Sequence, residues 1–480
     1  MKDSFLMSFK ELSSAVGGSL LAGEGKQAPD DKSDDSGQEG FSSVSIDSRA
    51  VMPGGLFVAI RGNTLDGHKF IEASFKAGAL CAMVAKSALE DSSLDLHFLA
   101  RKYNAVFVCV DDTLKALQDA ARVYLDRFTN LVKIGITGSA GKTTTKEIAA
   151  AIIGQEKSVV LNKGNLNSET GLPLSVFEVR SHHEVCVFEA AMNHKGEMVE
   201  LAKILNPDIA LITNIGSAHI GLLGSRDAIA HEKKQLFSQF TGSNTALIPE
   251  KDNYRDFLAK DVQGRIVFYG QSSFASLNGV KDFGIEGTEI SWEGKTTRLG
   301  LPGKFNLANA FAAIAIAEEL SISAASIRDG IESVKPLFGR GEILYGRSTV
   351  IRDCYNSSPE SAAQAVDFCD SLEWPGRKVY VIGSMLELGD SSDDAHAALG
   401  RQLASCGADL IFLYGEETKA AAYALEGHEA FVLQTGDRKE LSSALDKNIQ
   451  KGDLVLLKGS RGCALEALTE ILTGGNTDGL

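Results

Sequence analysis

Short apolar runs recur along the chain, and the stretches between them carry helical spacing. From about Phe41 to Phe128 the runs LFVAI, CAMVA and VFVCV predict strands alternating with helices. From Leu131 the signal sharpens: LVKIGIT is β-branched and enters a glycine turn, and TTTKEIAAAIIG has helical periodicity. VCVFEA and DIALITN repeat the buried-strand pattern, each followed by a helix-like segment. Between Lys281 and Leu301 polar and apolar residues alternate among glycines, which predicts an antiparallel patch. Helices over Asn306–Leu320 and Ala324–Val334 follow. After Pro336 the runs TVIRD, KVYVIG, DLIFLY, AFVLQ and DLVLLKG are separated by amphipathic helices, the pattern of a parallel, Rossmann-like sheet. The expected fold class is α/β in three domains, residues 1–130, 131–336 and 337–480, the last Rossmann-like.

Length supports that division, because 480 residues exceed what one hydrophobic core comfortably serves. Hydrophobic residues at 44% and charged residues at 23% suffice for an ordinary core in each domain. The formal net charge of -15 argues against nucleic acid as the main partner, since a phosphate-tracking surface is basic. Small anionic substrates remain compatible, held by helix N-termini and a few cations. The seven cysteines include no CxxC pair and no metal-type spacing, which fits free thiols in a reducing compartment. MKDSFLMSFKELSSAVGG is too polar for a secretory signal, and no apolar run would span a bilayer, so a cytoplasmic protein is expected. The acidic stretch GEGKQAPDDKSDDSGQEG, 23–40, has no aliphatic residue larger than alanine to offset its ordering entropy, and reads as a flexible insertion.

The strongest chemical signal is GITGSAGKTTTKE, Gly135 to Glu147. Small residues let the backbone fold round phosphate oxygens with its N–H groups pointing inward. Thr137, Gly138, Ser139, Ala140 and Gly141 form the cradle, Lys142 adds a charge on the transferred phosphate, and the Thr143 hydroxyl is placed for Mg²⁺. The strict Walker pattern has glycine where this chain has Ile136. Such a loop alone leaves ATPase, kinase, GTPase and ligase open. Glu189 ends the VCVFEA strand, at the edge where ligands of parallel sheets bind, yet a lone glutamate there is as often merely solvated. His219, after DIALITN, is on base rates more often structural than a ligand. Lys233 and Lys234 read alone as solvated helix lysines.

Over nearly its whole length the chain resembles the Mur ligase family. TGSAGKT resembles the family's TGSxGKT, and FEAAMNHKGEM the segment with the magnesium glutamate, which maps to Glu189. TNIGSAHIGLLGS resembles TNIGxAHxxxxGS, mapping a metal-associated histidine onto His219 and, counting on, a carbamylated lysine onto Lys233. LPGKFNLANAFAA resembles GxHNxxNAxAA, placing a nucleotide-contacting asparagine at Asn309 and Phe305 where histidine is usual. Arg340 and Asp353 complete the implied ATP contacts.

Within the family the MurF type is the nearest resemblance. SIDSRAVMPGGLFVAIRGNTLDGHKF resembles its UDP-sugar-binding segment, implying substrate contacts by Asp47, Ser48, Arg49, Asp66, Gly67 and His68. RDCYNSSPES resembles DDxYNANPxS, bringing in Tyr355 and Asn356, and LLKGSRG also fits. VIGSMLELGD resembles GDMLELG with Ser384 for aspartate, and NKGNLNSETGLP has Ser168 for a second asparagine. The DNPR signature of the MurE type is absent. The resemblance implies an ATP- and Mg²⁺-dependent ligase of peptidoglycan synthesis, with two metal ions held by Thr143, Glu189, His219 and carbamylated Lys233; a monomer is expected. Lys142, Lys233 and His219 are its catalytic candidates, and UDP-N-acetylmuramoyl-tripeptide and D-alanyl-D-alanine its substrates. The rival readings are another ligase of the superfamily, of MurE or folylpolyglutamate type, a P-loop ATPase, and a non-catalytic homologue.

Overall fold

The computed structural model describes residues 5–22, 40–62, 64–90 and 94–475. The acidic insertion expected over 23–40 therefore lies outside the described residues, except Gly40, which is strand and pairs with Ser8. The chain parts into two compact units. One comprises Met1–Lys133, Val160–Ala190 and Val199–Asn206, and the other Ile134–Val159, Ala191–Met198 and Pro207–Leu480.

In the first unit five strands form one sheet, in the order Ser19–Ala22, Val106–Val110, Cys81–Ala85, Leu56–Val58, Val44–Ser45. Only Ser19–Ala22 runs antiparallel to its neighbour. Val106–Val110 is buried at every position, as a strand covered on both faces must be. The Thr113–Leu125 helix starts where the Asp112 carboxylate accepts from the N–H groups of Leu114 and Lys115. Its far end is tied down by the Tyr124 hydroxyl, which donates to the Val179 carbonyl at 2.7 Å.

The second unit contains two parallel sheets. In one, Val132–Thr137 pairs with Ile209–Ile212, which pairs with Thr245–Pro249, which pairs with Arg265–Tyr269. The predicted antiparallel patch is a three-stranded meander beginning at Leu277, slightly earlier than the alternation suggests. The Lys304–Glu319 and Ala324–Ser333 helices follow, the first starting two residues before the predicted Asn306.

The other sheet runs Glu342–Leu344, Thr349–Asp353, Leu454–Lys458, Lys378–Gly383, Leu410–Tyr414, Phe431–Thr435, with only the first pair antiparallel. Its strands alternate between two cores: Ile351, Tyr380, Ile382, Ile411 and Leu456 pack on one face, and Val350, Val381, Phe412, Val455 and Leu457 on the other. Helices cover both faces, which is why these strands read as continuous apolar runs. Among the described residues, no helix is long and apolar enough to cross a membrane.

Candidate active site

Ile136 is fully buried within Val132–Thr137 and pairs with Leu211. The position where a strict Walker loop has glycine is thus still strand, and the turn begins at Gly138. Gly138 has φ +152°, and a Cβ there would stand 1.8 Å from Thr213 Oγ1. Gly141 has φ +81°, and its Cβ would stand 2.2 Å from Asn309 Oδ1. Both positions therefore demand glycine on space as well as on backbone angle. The Lys142–Ile153 helix opens directly from the turn, giving the first N–H groups of a helix and its positive end to an incoming phosphate.

The expectation that the loop's N–H groups point inward is corrected at two positions. The Ser139 N–H donates to the Asn214 carbonyl at 3.0 Å, and the Ala140 N–H to Asn214 Oδ1 at 3.0 Å. Thr213 Oγ1 and Asn214 Nδ2 donate back to the Ala140 carbonyl at 2.6 and 3.1 Å, and the Gly216 N–H donates to Ser139 Oγ at 2.8 Å. A loop of small residues has few side chains to hold its shape, so the next strand's exit holds it. Sequence reasoning missed Thr213 and Asn214. Their signal was a threonine–asparagine pair immediately after an apolar strand.

The two helix lysines part company. Lys233, 1% exposed, donates to the Gly138 carbonyl at 2.9 Å, the same carbonyl that accepts from Lys142 at 2.9 Å. Lys234 turns away, donating to the Phe257 and Lys260 carbonyls. Two ammonium groups within hydrogen-bond range of one oxygen repel each other, and burial strengthens that repulsion.

His219 sits on the neighbouring loop at φ +65°, in a region a non-glycine residue enters only under constraint. Its Nδ1 is buried and 2.8 Å from Glu387 Oε2, a close contact without hydrogen-bond alignment. Burial, then the charge of Lys142, holds its pKa below the ordinary histidine value, with Lys233 adding to this and Glu387 pulling the other way. A histidine kept in its neutral form can offer a ring lone pair to a cation. Thr143, 8% exposed, lies in the first helical turn beside the P-loop. Among the described residues no three His, Cys, Asp or Glu side chains gather as a metal cluster. The expected ligand set draws only Glu189 and His219 from those types.

Two glutamates from segments that follow strands of the C-terminal sheet reach the same loop. Glu360 Oε1 accepts from the Ser217 N–H at 2.8 Å and its hydroxyl at 2.7 Å, while Glu360 Oε2 is buried without a partner. The Gly221 N–H donates to the Glu387 carbonyl at 3.1 Å, and Glu387 itself has φ +64°. Both glutamates lie in segments that sequence reading had marked, YNSSPES and GSMLELG. Neither was singled out, because the contacts join positions more than a hundred residues apart.

Asn309 Oδ1 accepts from Thr145 Oγ1 at 3.4 Å and stands against Gly141, so the structure brings it to the P-loop. Arg340 lines a small cleft with Thr144, Glu147, Leu301, Val334, Lys335 and Leu337. Its guanidinium lies 4.3 Å from the centre of the Tyr355 ring. Asp353 pairs with buried Lys458 at 3.1 Å, and Lys458 also donates to the Asn356 carbonyl at 2.7 Å.

In the first unit Glu189 is 2% exposed. Asn167 Nδ2 donates to its Oε1 at 2.7 Å, and Asn162 clasps its backbone through both N–H and C=O. Ser168, standing where a second asparagine is usual, uses its hydroxyl on Thr170 and the Gly171 N–H. Asp47 and Arg49 pair in the open, which holds the Asp47 carboxyl at about 2. Ser48 lies beside them. His68 is spent internally: Nε2 accepts from the Ala85 N–H at 2.9 Å, so Nδ1 carries the proton facing Asp66 at 2.6 Å. Gly67 lies between them in that turn, its N–H donating to the Ile60 carbonyl.

The two substitutions in the second unit have physical counterparts. Phe305 meets Phe368 edge-on at 6.4 Å, an apolar contact in place of a histidine. Ser384 donates to Glu417 Oε2 at 2.6 Å, which holds the Glu417 carboxyl below the ordinary carboxylate range. Ser384→Asp should set two carboxylates against each other and cost about 1–3 kcal/mol of stability. Adding Glu417→Gln should return most of that in thermal unfolding.

A Mur ligase middle domain matches residues 136–317, a Mur ligase glutamate ligase domain residues 339–461, and a Mur ligase family catalytic domain residues 41–125. With the P-loop, its braces and two parallel sheets in view, the chain belongs to the Mur ligase family. Within it the type is MurF. A UDP-N-acetylmuramoyl-tripeptide--D-alanyl-D-alanine ligase from Treponema pallidum is 40% identical, over 97% of this chain and 99% of its own length. The ligase of the same name from Bacillus subtilis is 34% identical, over 89% and 92%. Among solved structures, MurF from Acinetobacter baumannii superposes with TM-score 0.84 at 27% identity, covering 97% of this chain and 98% of that one. MurF from Thermotoga maritima, solved with ADP, gives TM-score 0.76 at 27% identity, covering 90% and 97%.

Proposed function

We propose that the residues assembled above carry out the MurF reaction in this chain. ATP is used to join D-alanyl-D-alanine to UDP-N-acetylmuramoyl-tripeptide, releasing ADP and phosphate, in peptidoglycan precursor synthesis. The observation that carries the arrangement is where the MurF-type loops of the C-terminal sheet end. Glu360 and Glu387 rest on Ser217 and His219, in the segment that braces the P-loop.

A carboxylate resists an amine because its charge repels the nucleophile and oxide is a poor leaving group. Transfer of the γ-phosphoryl group to the tripeptide carboxylate removes both obstacles. The amine then attacks the acyl phosphate, the new C–N bond forms, and phosphate leaves with the C–O electron pair. The protein's task is to position the reactants and stabilise charge. Lys142 and the start of its helix take the phosphates, with Thr137, Gly138, Ser139, Ala140 and Gly141 shaping the cradle. Asn309, Arg340 and Asp353 hold the rest of the nucleotide. Tyr355 and Asn356 serve the peptide substrates.

Mg²⁺, when bound, offsets charge on the transferred phosphoryl group. Thr143, His219 and Lys233 as its carbamate are its proposed ligands, and Glu189 keeps the role its motif gives it. The approach of Lys142 and Lys233 to one carbonyl supports the carbamate, since an anion at Lys233 would replace repulsion with attraction. Residues 1–130 take the UDP-sugar through Asp47, Ser48, Arg49, Asp66, Gly67 and His68, with 131–336 and 337–480 as the ATP-binding and ligase domains. The protein acts as a monomer in the cytoplasm.

Phosphate release from ATP should require both peptide substrates, with UDP-N-acetylmuramoyl-pentapeptide found by mass spectrometry. Release indifferent to both peptides would overturn the reading in favour of an ATPase.

A further inference from the structure

The acceptor dipeptide brings one amine and one carboxylate, and only the amine end takes part in the bond. Its carboxylate is a fixed handle at the far end, and the site that reads it decides which amines are accepted. Resting on the reaction proposed above, we propose that Arg461 receives this terminal carboxylate.

Three loops meet at the carboxyl edge of the C-terminal sheet, after Asp353, Gly383 and Lys458, where ligands of parallel sheets bind. They are bonded together: the Leu386 N–H donates to Ser460 Oγ at 2.9 Å, the Ser460 N–H to the Ser384 carbonyl at 3.0 Å, and Lys458 to the Asn356 carbonyl. Leu386 also lies against Gly462, next to Arg461. The residue after Leu386 is Glu387, which touches His219 beside the phosphate-transfer loop. An extended dipeptide spans only about 7 Å, so its carboxylate end must stay within this edge while its amine reaches the acyl phosphate.

The cations described at this edge are mostly committed. Lys458 is 1% exposed and holds Asp353 and Asn356. Arg352 places both Nε and Nη2 on Glu342 Oε2, and Arg438 donates to the Cys463 and Ala464 carbonyls. Arg340 lines the cleft beside the P-loop helix. Arg461 differs. Its side chain is 57% exposed, one nitrogen meets Glu466 Oε1 at 2.8 Å, and the guanidinium lies 5.7 Å from the Tyr355 ring centre and 5.9 Å from that of Phe338. Glu466 takes one nitrogen of the guanidinium, and with more than half of the side chain exposed the rest of the group is open to a carboxylate, which a guanidinium can take through two parallel bonds.

The test compares D-alanyl-D-alanine with its C-terminal amide in steady-state kinetics of wild type, Arg461→Lys and Arg461→Met. In wild type the amide should lower kcat/KM by about 10- to 100-fold, as expected for losing charge-assisted hydrogen bonds. In Arg461→Met the acid should become as poor as the amide, with KM for ATP and the UDP-tripeptide within about twofold of wild type. Arg461→Lys should fall between, keeping the charge without the fork, and it serves if the Met variant does not fold. A wild type that treats acid and amide alike would overturn the proposal. So would a Met variant that still prefers the acid as wild type does, or a rise in KM for all three substrates together. Failure of wild type to make any pentapeptide would instead sink the ligase reading itself.

Discussion

Lys233→Ala should lower kcat by about 10²- to 10³-fold, the scale for removing one preorganised charge from a transferring centre. Lys233 is the inward lysine of its helix, almost fully buried, with its nitrogen on the Gly138 carbonyl beside Lys142. Lys233→Arg separates two explanations for its importance. If the group acts as a cation, arginine preserves the charge and much of the activity. If it acts as a carbamate, arginine cannot take up carbon dioxide, and activity should fall as far as with alanine. A short carboxylate such as formate, added to the alanine variant, should then restore part of the rate by supplying the missing anion. Lys234→Ala is the internal control: it loses donors to the Phe257 and Lys260 carbonyls and should cost stability rather than turnover.

The second large effect is expected at Gly141. An alanine there must hold φ +81°, which costs about 1–2 kcal/mol for an L residue. Its methyl would also stand 2.2 Å from Asn309 Oδ1, so Asn309 or the loop must move. Asn309 stands at the foot of the phosphate cradle, and a displacement near 1 Å at such a place costs about 10²-fold in rate. Gly141→Ala should therefore fold with reduced stability while kcat/KM for ATP drops by about two orders of magnitude. Unchanged kinetics would mean that Asn309 does not hold the nucleotide side of the loop.

The sheets were legible because their strands are covered on both faces, so each reads as an unbroken apolar run such as VFVCV or DLVLLKG. The P-loop was legible because its glycines answer a local demand, a turn of positive φ followed at once by a helix. Other parts of the site are not local. Nothing near Asn214 reveals that its amide will close on Ala140, and nothing near Glu360 reveals Ser217. Lys233 and Lys234 are adjacent and chemically alike, and only the packed helix shows which faces the phosphate loop. His68 shows the opposite case, since a residue marked for substrate has both ring nitrogens occupied within its own unit.

The clasp of Asn214 on Ala140 has a thermodynamic consequence. One side-chain amide accepts from the Ala140 N–H and donates to its C=O, reproducing in miniature the rung of a sheet. The loop is thus ordered when the protein folds, and its conformational entropy is already lost before ATP arrives. Nucleotide affinity then registers contact with a finished surface rather than the net of contact and loop ordering. The sheet beneath the P-loop is, in effect, extended by one residue's side chain to the place where phosphate lands.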